Sequence, residues 1–165
     1  ALTTFVGQNI GAGKMHRVKE GLRATMLMSV LCGIGAMVLV LTCGPNMMHL
    51  FSQEAAVVEA GMDYLRPVMY CYLLFAIMNT VLSVLRGAGD MVFPMITSLL
   101  SLWIIRLPMA YLFSYWFGKE YIFFSYGGGW LIGMTMAIIY YFTGRWKKKA
   151  VVSKQSEEGL QEKYE

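Results

Sequence analysis

The chain has 165 residues, of which 57% are hydrophobic and only 15% charged, with a formal net charge of +4. Soluble domains carry about 25% charged residues and about 45–50% apolar ones, so a water-soluble globule would lack the polar surface to cover this much apolar side chain. The cations gather near the two ends (Lys14, Arg17, Lys19 and Arg23, then Arg145, Lys147, Lys148 and Lys149) and flank long apolar runs; that pattern belongs to membrane proteins and excludes a nucleic-acid binder.

The opening residues 1–10 have neither a charged n-region nor a long apolar h-region, so they do not form a signal peptide. Ala stands at position 1 where a native start shows Met, which leads to the expectation of a chain beginning partway through a longer protein. The run Gly7-Gln8-Asn9-Ile10-Gly11-Ala12-Gly13-Lys14 is not a phosphate loop. Gln8 stands where the first glycine of that motif is required, and Met15 where its hydroxyl is required.

Four stretches are long enough to cross a bilayer, which takes about 20 mostly apolar residues. They are residues 24–43, 67–85, 91–117 (interrupted only by Arg106) and 121–144. None alternates in the manner of a barrel strand, and only helices or closed barrels satisfy the backbone in lipid. The prediction is an all-α polytopic membrane protein: four full spans, the end of a preceding helix, one membrane unit over 1–149 and a polar tail over 150–165. The loop after the first span carries Glu54, Glu59 and Asp63 against Arg66. The positive-inside rule then places both ends in the cytoplasm. Residues 53–66 read as a further helix with Ser52 as N-cap, kinked at Pro67 where it enters the second span.

Three cysteines, Cys32, Cys43 and Cys71, form no CxxC pair and read as buried, inert thiols. His16 and His49 are isolated, so no metal site is expected, and no nucleophile–base or paired-carboxylate arrangement supports an enzyme.

Polarity marks three faces. Tyr72, Ala76, Asn79, Thr80, Ser83 and Gly87 recur at spacings of three and four and share one face of the second span. Either they hydrogen-bond between helices or they line a substrate path. On the third span, Thr97, Ser101, Ile104, Pro108, Tyr111 and Tyr115 form a mixed face, with Pro108 able to bend the helix. Arg106 falls opposite Thr97 on an ideal helix, and either snorkels to the interface or pairs with a carboxylate elsewhere. On the fourth, Gly129, Gly133 and Ala137 form a small-residue stripe for close packing, and the glycines at 127–129 read as a flexible opening to the helix.

Two motifs carry a resemblance. Gly7-Gln8-Asn9-Ile10-Gly11-Ala12-Gly13 precedes Arg17 and a long apolar helix. Leu85-Arg86-Gly87-Ala88-Gly89-Asp90 precedes Pro94, then Ile105-Arg106-Leu107-Pro108. In this order they resemble the multidrug and toxic compound extrusion (MATE) family, over residues 1–149. The resemblance implies a two-lobed transporter of twelve helices, of which this chain would hold the end of the eighth and the ninth to twelfth. It implies export of drugs or organic cations across the cytoplasmic membrane in exchange for Na⁺ or H⁺, by rocking of one lobe against the other, with no other cofactor. The partners would be the lipid bilayer, a missing N-terminal lobe and a small amphipathic or cationic substrate, and a fragment alone would be inactive. Asn79, Thr80, Ser83 and Tyr111 would border the path. Gly7, Gln8, Gly11, Gly13, Arg17, Arg86, Gly87, Gly89, Asp90, Pro94, Arg106 and Pro108 would hold the lobe's geometry, the arginines capping carbonyls or pairing with acids. Some family members bury a carboxylate in the helix matching residues 67–85; here that stretch has none, and Asn79 is the nearest polar counterpart. The alternatives are a lipid-linked or polysaccharide flippase lobe of the same superfamily, or a small four-helix membrane assembly protein.

Overall fold

The computed structural model describes residues 1–147 and 150. Among its described residues every regular element is a helix and there is no strand. Helix α1 runs Leu2–Gly11, α2 Met15–His49 and α3 Ala55–Gly87. The third span is one continuous run in three pieces: α4 Val92–Leu99, a π-helical stretch Leu100–Ile105, and α5 Arg106–Trp116. A 3-10 turn, Lys119–Phe124, leads into α6, Ser125–Thr143. Four of these runs are long and apolar enough to cross a membrane: Met15–His49, Ala55–Gly87, Val92–Trp116 and Tyr121–Thr143.

The two longest helices overshoot the bilayer. At 1.5 Å per residue, α2 and α3 are each about 50 Å long against a hydrocarbon core of about 30 Å. Neither Pro45 in α2 nor Pro67 in α3 ends its helix. The helix expected over 53–66 is the first part of α3, running through Pro67 into the second span, and it carries Glu59, Asp63 and Arg66. Its N-cap is Glu54, not Ser52; the Ser52 hydroxyl instead accepts the Glu54 amide at 3.2 Å, a local turn just outside the helix.

Helix α3 is central, with α2 and α6 packed along it and α1 crossing its C-terminal end. The core gathers at that end, where Val6, Val18, Leu82, Val84, Leu85, Ala88, Ala137 and Trp146 are buried. Elsewhere large apolar side chains face outward, among them Leu27, Leu31, Val38, Leu99, Trp103 and Phe142, as expected when lipid rather than water covers the surface. All three cysteines are free; Cys32 and Cys43 are exposed on the sparsely covered α2, so the expectation of buried thiols fails for them, while Cys71 on α3 is half-buried.

The two glycine motifs share one device. Gly13 and Gly89 adopt φ of +72° and +83°. Around the first, the Gly13 amide donates to Ile10 O at 2.9 Å and the Lys14 amide to Asn9 O at 2.8 Å. Around the second, Gly89 donates to Arg86 O at 3.1 Å and Asp90 to Leu85 O at 3.0 Å. Both are Schellman caps, which close a helix through a left-handed residue after its last turn. Gly11-Ala12-Gly13 and Gly87-Ala88-Gly89 thus stop α1 and α3 in the same way. Neither Arg17 nor Arg86 forms an ion pair with a described residue, so the acid pairing expected of them is not seen there.

Asp90 begins the next span. Its carboxylate is buried, accepts the Tyr140 hydroxyl at 2.6 Å and faces the Phe93 amide at 3.4 Å. The Phe93 and Tyr140 rings stack 3.7 Å apart, which ties the start of α4 to α6. The polar tail expected over 150–165 lies, apart from Ala150, outside the described residues.

Candidate functional site

The π-helical stretch re-aims the third span. Its bonds run from each residue to the fifth along, so it winds about one extra residue into the helix and rotates the remainder of the span by about 100°. Pro94 and Thr97 are buried before it and Ser101 is buried near its start, whereas Ile104 near its end and Tyr111 and Tyr115 beyond it are exposed. The mixed face expected from Thr97 to Tyr115 therefore does not persist. Arg106, opposite Thr97 on an ideal helix, is instead carried round to the same cavity as Ser101. Pro108 lies just past the stretch; lacking an N–H, it leaves the Ile104 carbonyl without its usual partner, a local reason for irregular winding.

The close fit of this stretch depends on the small residues of α6. The Ser101 hydroxyl donates to Gly129 O at 2.6 Å. A β-carbon on Gly129 would stand 2.9 Å from Ser101 O, and one on Gly133 would stand 2.6 Å from the Met78 sulfur. Gly129, Gly133 and Ala137 are all buried, as the stripe predicted. The glycines at 127–129 are not a flexible opening: they lie within α6, where Cys71, Met109 and Ser101 press against them.

Around this crossing lies a cavity of about 160 Å³ lined by Asn79, Ser98, Ser101, Arg106, Tyr126 and Trp130 together with Phe75 and Met78. Aromatic rings supply much of its wall. Phe75 and Trp130 are 5.1 Å apart, and Tyr126 and Trp130 5.5 Å. Beyond them the Tyr64 hydroxyl meets that of Tyr126 at 3.3 Å. The Arg106 guanidinium carbon stands 3.5 Å from the Tyr126 ring centroid. A cation–π contact of this kind contributes about 0.5–2 kcal/mol, which offsets part of the roughly 2.5–3.5 kcal/mol that an arginine costs at mid-membrane on insertion scales. Arg106 thus has an aromatic partner in α6, where the sequence suggested only an interface or a carboxylate. The Arg106–Tyr126 pair also lines a second cavity of about 370 Å³, with Leu102, Trp103, Ala110 and Phe123.

The four expected path residues do not converge. Asn79 lines the first cavity and donates its amide N–H to Phe75 O at 3.1 Å. Thr80, about 100° further round α3, turns to α2: its hydroxyl bonds Ala76 O at 2.8 Å and meets the Ser29 hydroxyl at 3.1 Å. Ser83 donates to Asn79 O at 2.7 Å. Tyr111 is exposed and stacks on Tyr115. Of the second-span face, Asn79 thus reaches a cavity while Thr80 hydrogen-bonds between helices. Sequence reasoning missed Phe75, Tyr126 and Trp130. Their signal was the spacing of Tyr64, Tyr72 and Phe75 on α3 and of Tyr126 and Trp130 on α6, each an aromatic stripe at helical intervals.

Four apolar spans around a polar–aromatic interior define a polytopic helical membrane protein. Residues 1–112 match the MatE family. The chain is 31% identical over 147 residues to the probable multidrug resistance protein YpnP of Bacillus subtilis, covering 89% of this chain and 33% of that protein. It is 25% identical over 163 residues to the probable multidrug resistance protein NorM of Thermotoga maritima, covering 94% and 34%, and 24% identical over 110 residues to the human multidrug and toxin extrusion protein 1, covering 67% and 19%. No solved structure matches. The chain belongs to the MatE family, in agreement with the resemblance carried by its two glycine motifs. It spans about a third of the length of these two bacterial relatives.

Proposed function

We propose that this chain is the larger part of one lobe of a multidrug antiporter, which expels drug-like organic cations across the cytoplasmic membrane in exchange for Na⁺ or H⁺. Both ends of the chain face the cytoplasm in this reading, and a second lobe completes the path. The observation that carries it is a ring face already holding a cation, Arg106 over Tyr126, in a cavity shared with Asn79, Phe75 and Trp130. Aromatic faces bind organic cations by the same quadrupole attraction. The family match and the relatives' names as multidrug resistance proteins support the direction and the cargo. Asn79 and Ser83 border the path, Tyr111 meets it from the exposed side of α5, and Thr80 holds α2 to α3. The apolar part of α3 between Arg66 and Arg86 offers no carboxylate, so in this reading either the coupling acid lies in the other lobe or this lobe has a supporting role in coupling.

The test is efflux of a fluorescent organic cation from proteoliposomes under an imposed Na⁺ or H⁺ gradient. The two-lobed protein should export, and Asn79→Ala and Trp130→Ala should slow it; vesicles holding residues 1–165 alone should not export. Gradient-driven efflux from this chain alone, or a two-lobed protein indifferent to both gradients, would overturn the reading.

A further inference from the structure

We propose that the basic end of the bundle holds the headgroup of an anionic phospholipid, in a cavity between the first turns of α2 and the segment after α6. The cavity measures about 400 Å³ and is lined by Met15, His16, Val18, Lys19, Glu20, Arg23, Tyr141, Trp146 and Lys147. That volume lies within the range of small-molecule sites. Three cations, Lys19, Arg23 and Lys147, face one acid, Glu20, so the cavity favours an anion.

Its aromatic wall is fixed. Trp146 is 2% exposed, its indole N–H is spent on Tyr141 O at 3.0 Å, and the two rings stack at 5.5 Å. The Lys147 ammonium lies 5.7 Å from the Trp146 ring. Tyrosine and tryptophan beside lysine and arginine are the side chains that settle at headgroup depth, and basic pockets between spans receive anionic headgroups.

A free phosphate would need only the cations; the surface beyond them points to a lipid. Arg23, Leu27, Leu31, Ile34 and Val38 succeed one another at intervals of four, four, three and four, so they form one stripe along α2. Leu27, Leu31 and Val38 are 62%, 58% and 51% exposed. An acyl chain can run down this stripe while its phosphate remains beside Arg23.

The chain is placed in nanodiscs of phosphatidylglycerol or of phosphatidylcholine, and the lipid it carries through extraction is counted by native mass spectrometry. Retention of phosphatidylglycerol over phosphatidylcholine is expected. Each cation beside an anionic lipid contributes roughly fivefold in affinity, so Lys19→Gln/Arg23→Gln/Lys147→Gln should weaken retention by roughly a hundredfold. Lys14→Gln/Arg17→Gln/Arg145→Gln removes as many charges from the same end but outside the cavity, and should cost less than about a tenth of that loss. Circular dichroism checks helicity. Should the first triple variant not fold, Lys19→Gln against Lys14→Gln makes the same comparison. Equal losses in the two sets would reduce the effect to diffuse surface attraction and overturn the proposal. Equal retention of the two lipids, or displacement of the lipid by millimolar inorganic phosphate, would also overturn it.

Discussion

The carbonyl oxygen of Gly87 lies 3.3 Å from the place that a β-carbon on Gly7 would occupy. The two glycine motifs, about eighty residues apart in the chain, therefore meet where α1 crosses α3. From the other side the contact is tighter: a β-carbon on Gly87 would stand 2.5 Å from Thr3 O and 2.8 Å from the Val6 β-carbon. Backbone cannot swing aside as a side-chain tip can, so the crossing tolerates little at position 87.

This ranks three alanine substitutions. Gly87→Ala should destabilise by about 1–3 kcal/mol, the usual cost of overpacking. Gly7→Ala should cost less than about 1 kcal/mol, since a shift of a few tenths of an ångström relieves it. Gly11→Ala meets nothing within 4 Å and should be neutral or stabilising by up to about 1 kcal/mol through helix propensity. Thermal unfolding in detergent orders them; Gly11→Ala as the worst of the three would contradict the crossing.

The caps make a separate prediction. Gly13→Ala and Gly89→Ala have open space around the new methyl but a positive φ, so each should cost about 1–2 kcal/mol through backbone strain alone. Asparagine at either position should recover part of the loss, because it enters the left-handed region more readily. The check is the unfolding midpoint of the alanine variant against the asparagine variant at each site; equal midpoints would refute the strain account.

The Arg106–Tyr126 contact can be isolated by a double-mutant cycle. Arg106→Met and Tyr126→Leu should couple by about 0.5–2 kcal/mol, the range of cation–π pairs. Tyr126→Phe keeps the ring face and should retain most of that coupling, losing only the hydroxyl contact with Tyr64. No coupling in unfolding free energy would mean that the guanidinium draws its stability from elsewhere.

Thr97 is fully buried, and its hydroxyl has no hydrogen-bond partner among the described residues. An orphaned buried hydroxyl costs about 1–3 kcal/mol. Thr97→Val replaces it by a methyl of nearly the same shape, so the thermal midpoint should rise; a fall would show that the hydroxyl is satisfied in the membrane.

The small-residue stripe on α6 was legible because Gly129, Gly133 and Ala137 stand four apart on an uninterrupted helix, where angular position comes from counting. The same counting misplaced Arg106, because one extra residue wound into the third span turns everything after it. Counting also left Asn79 and Thr80 on one face, and they parted only once the neighbours of α3 were in place.

Composition and charge placement alone determined that four oily helices cross a bilayer, since that depends on solvent transfer and not on neighbours. The motif order alone determined the family. Only the tertiary structure decided which face each helix turns inward, that Gly7 and Gly87 meet, and that an aromatic ring answers Arg106. Those outcomes depend on local winding and on what each helix packs against, and neither is encoded in the sequence of a single segment.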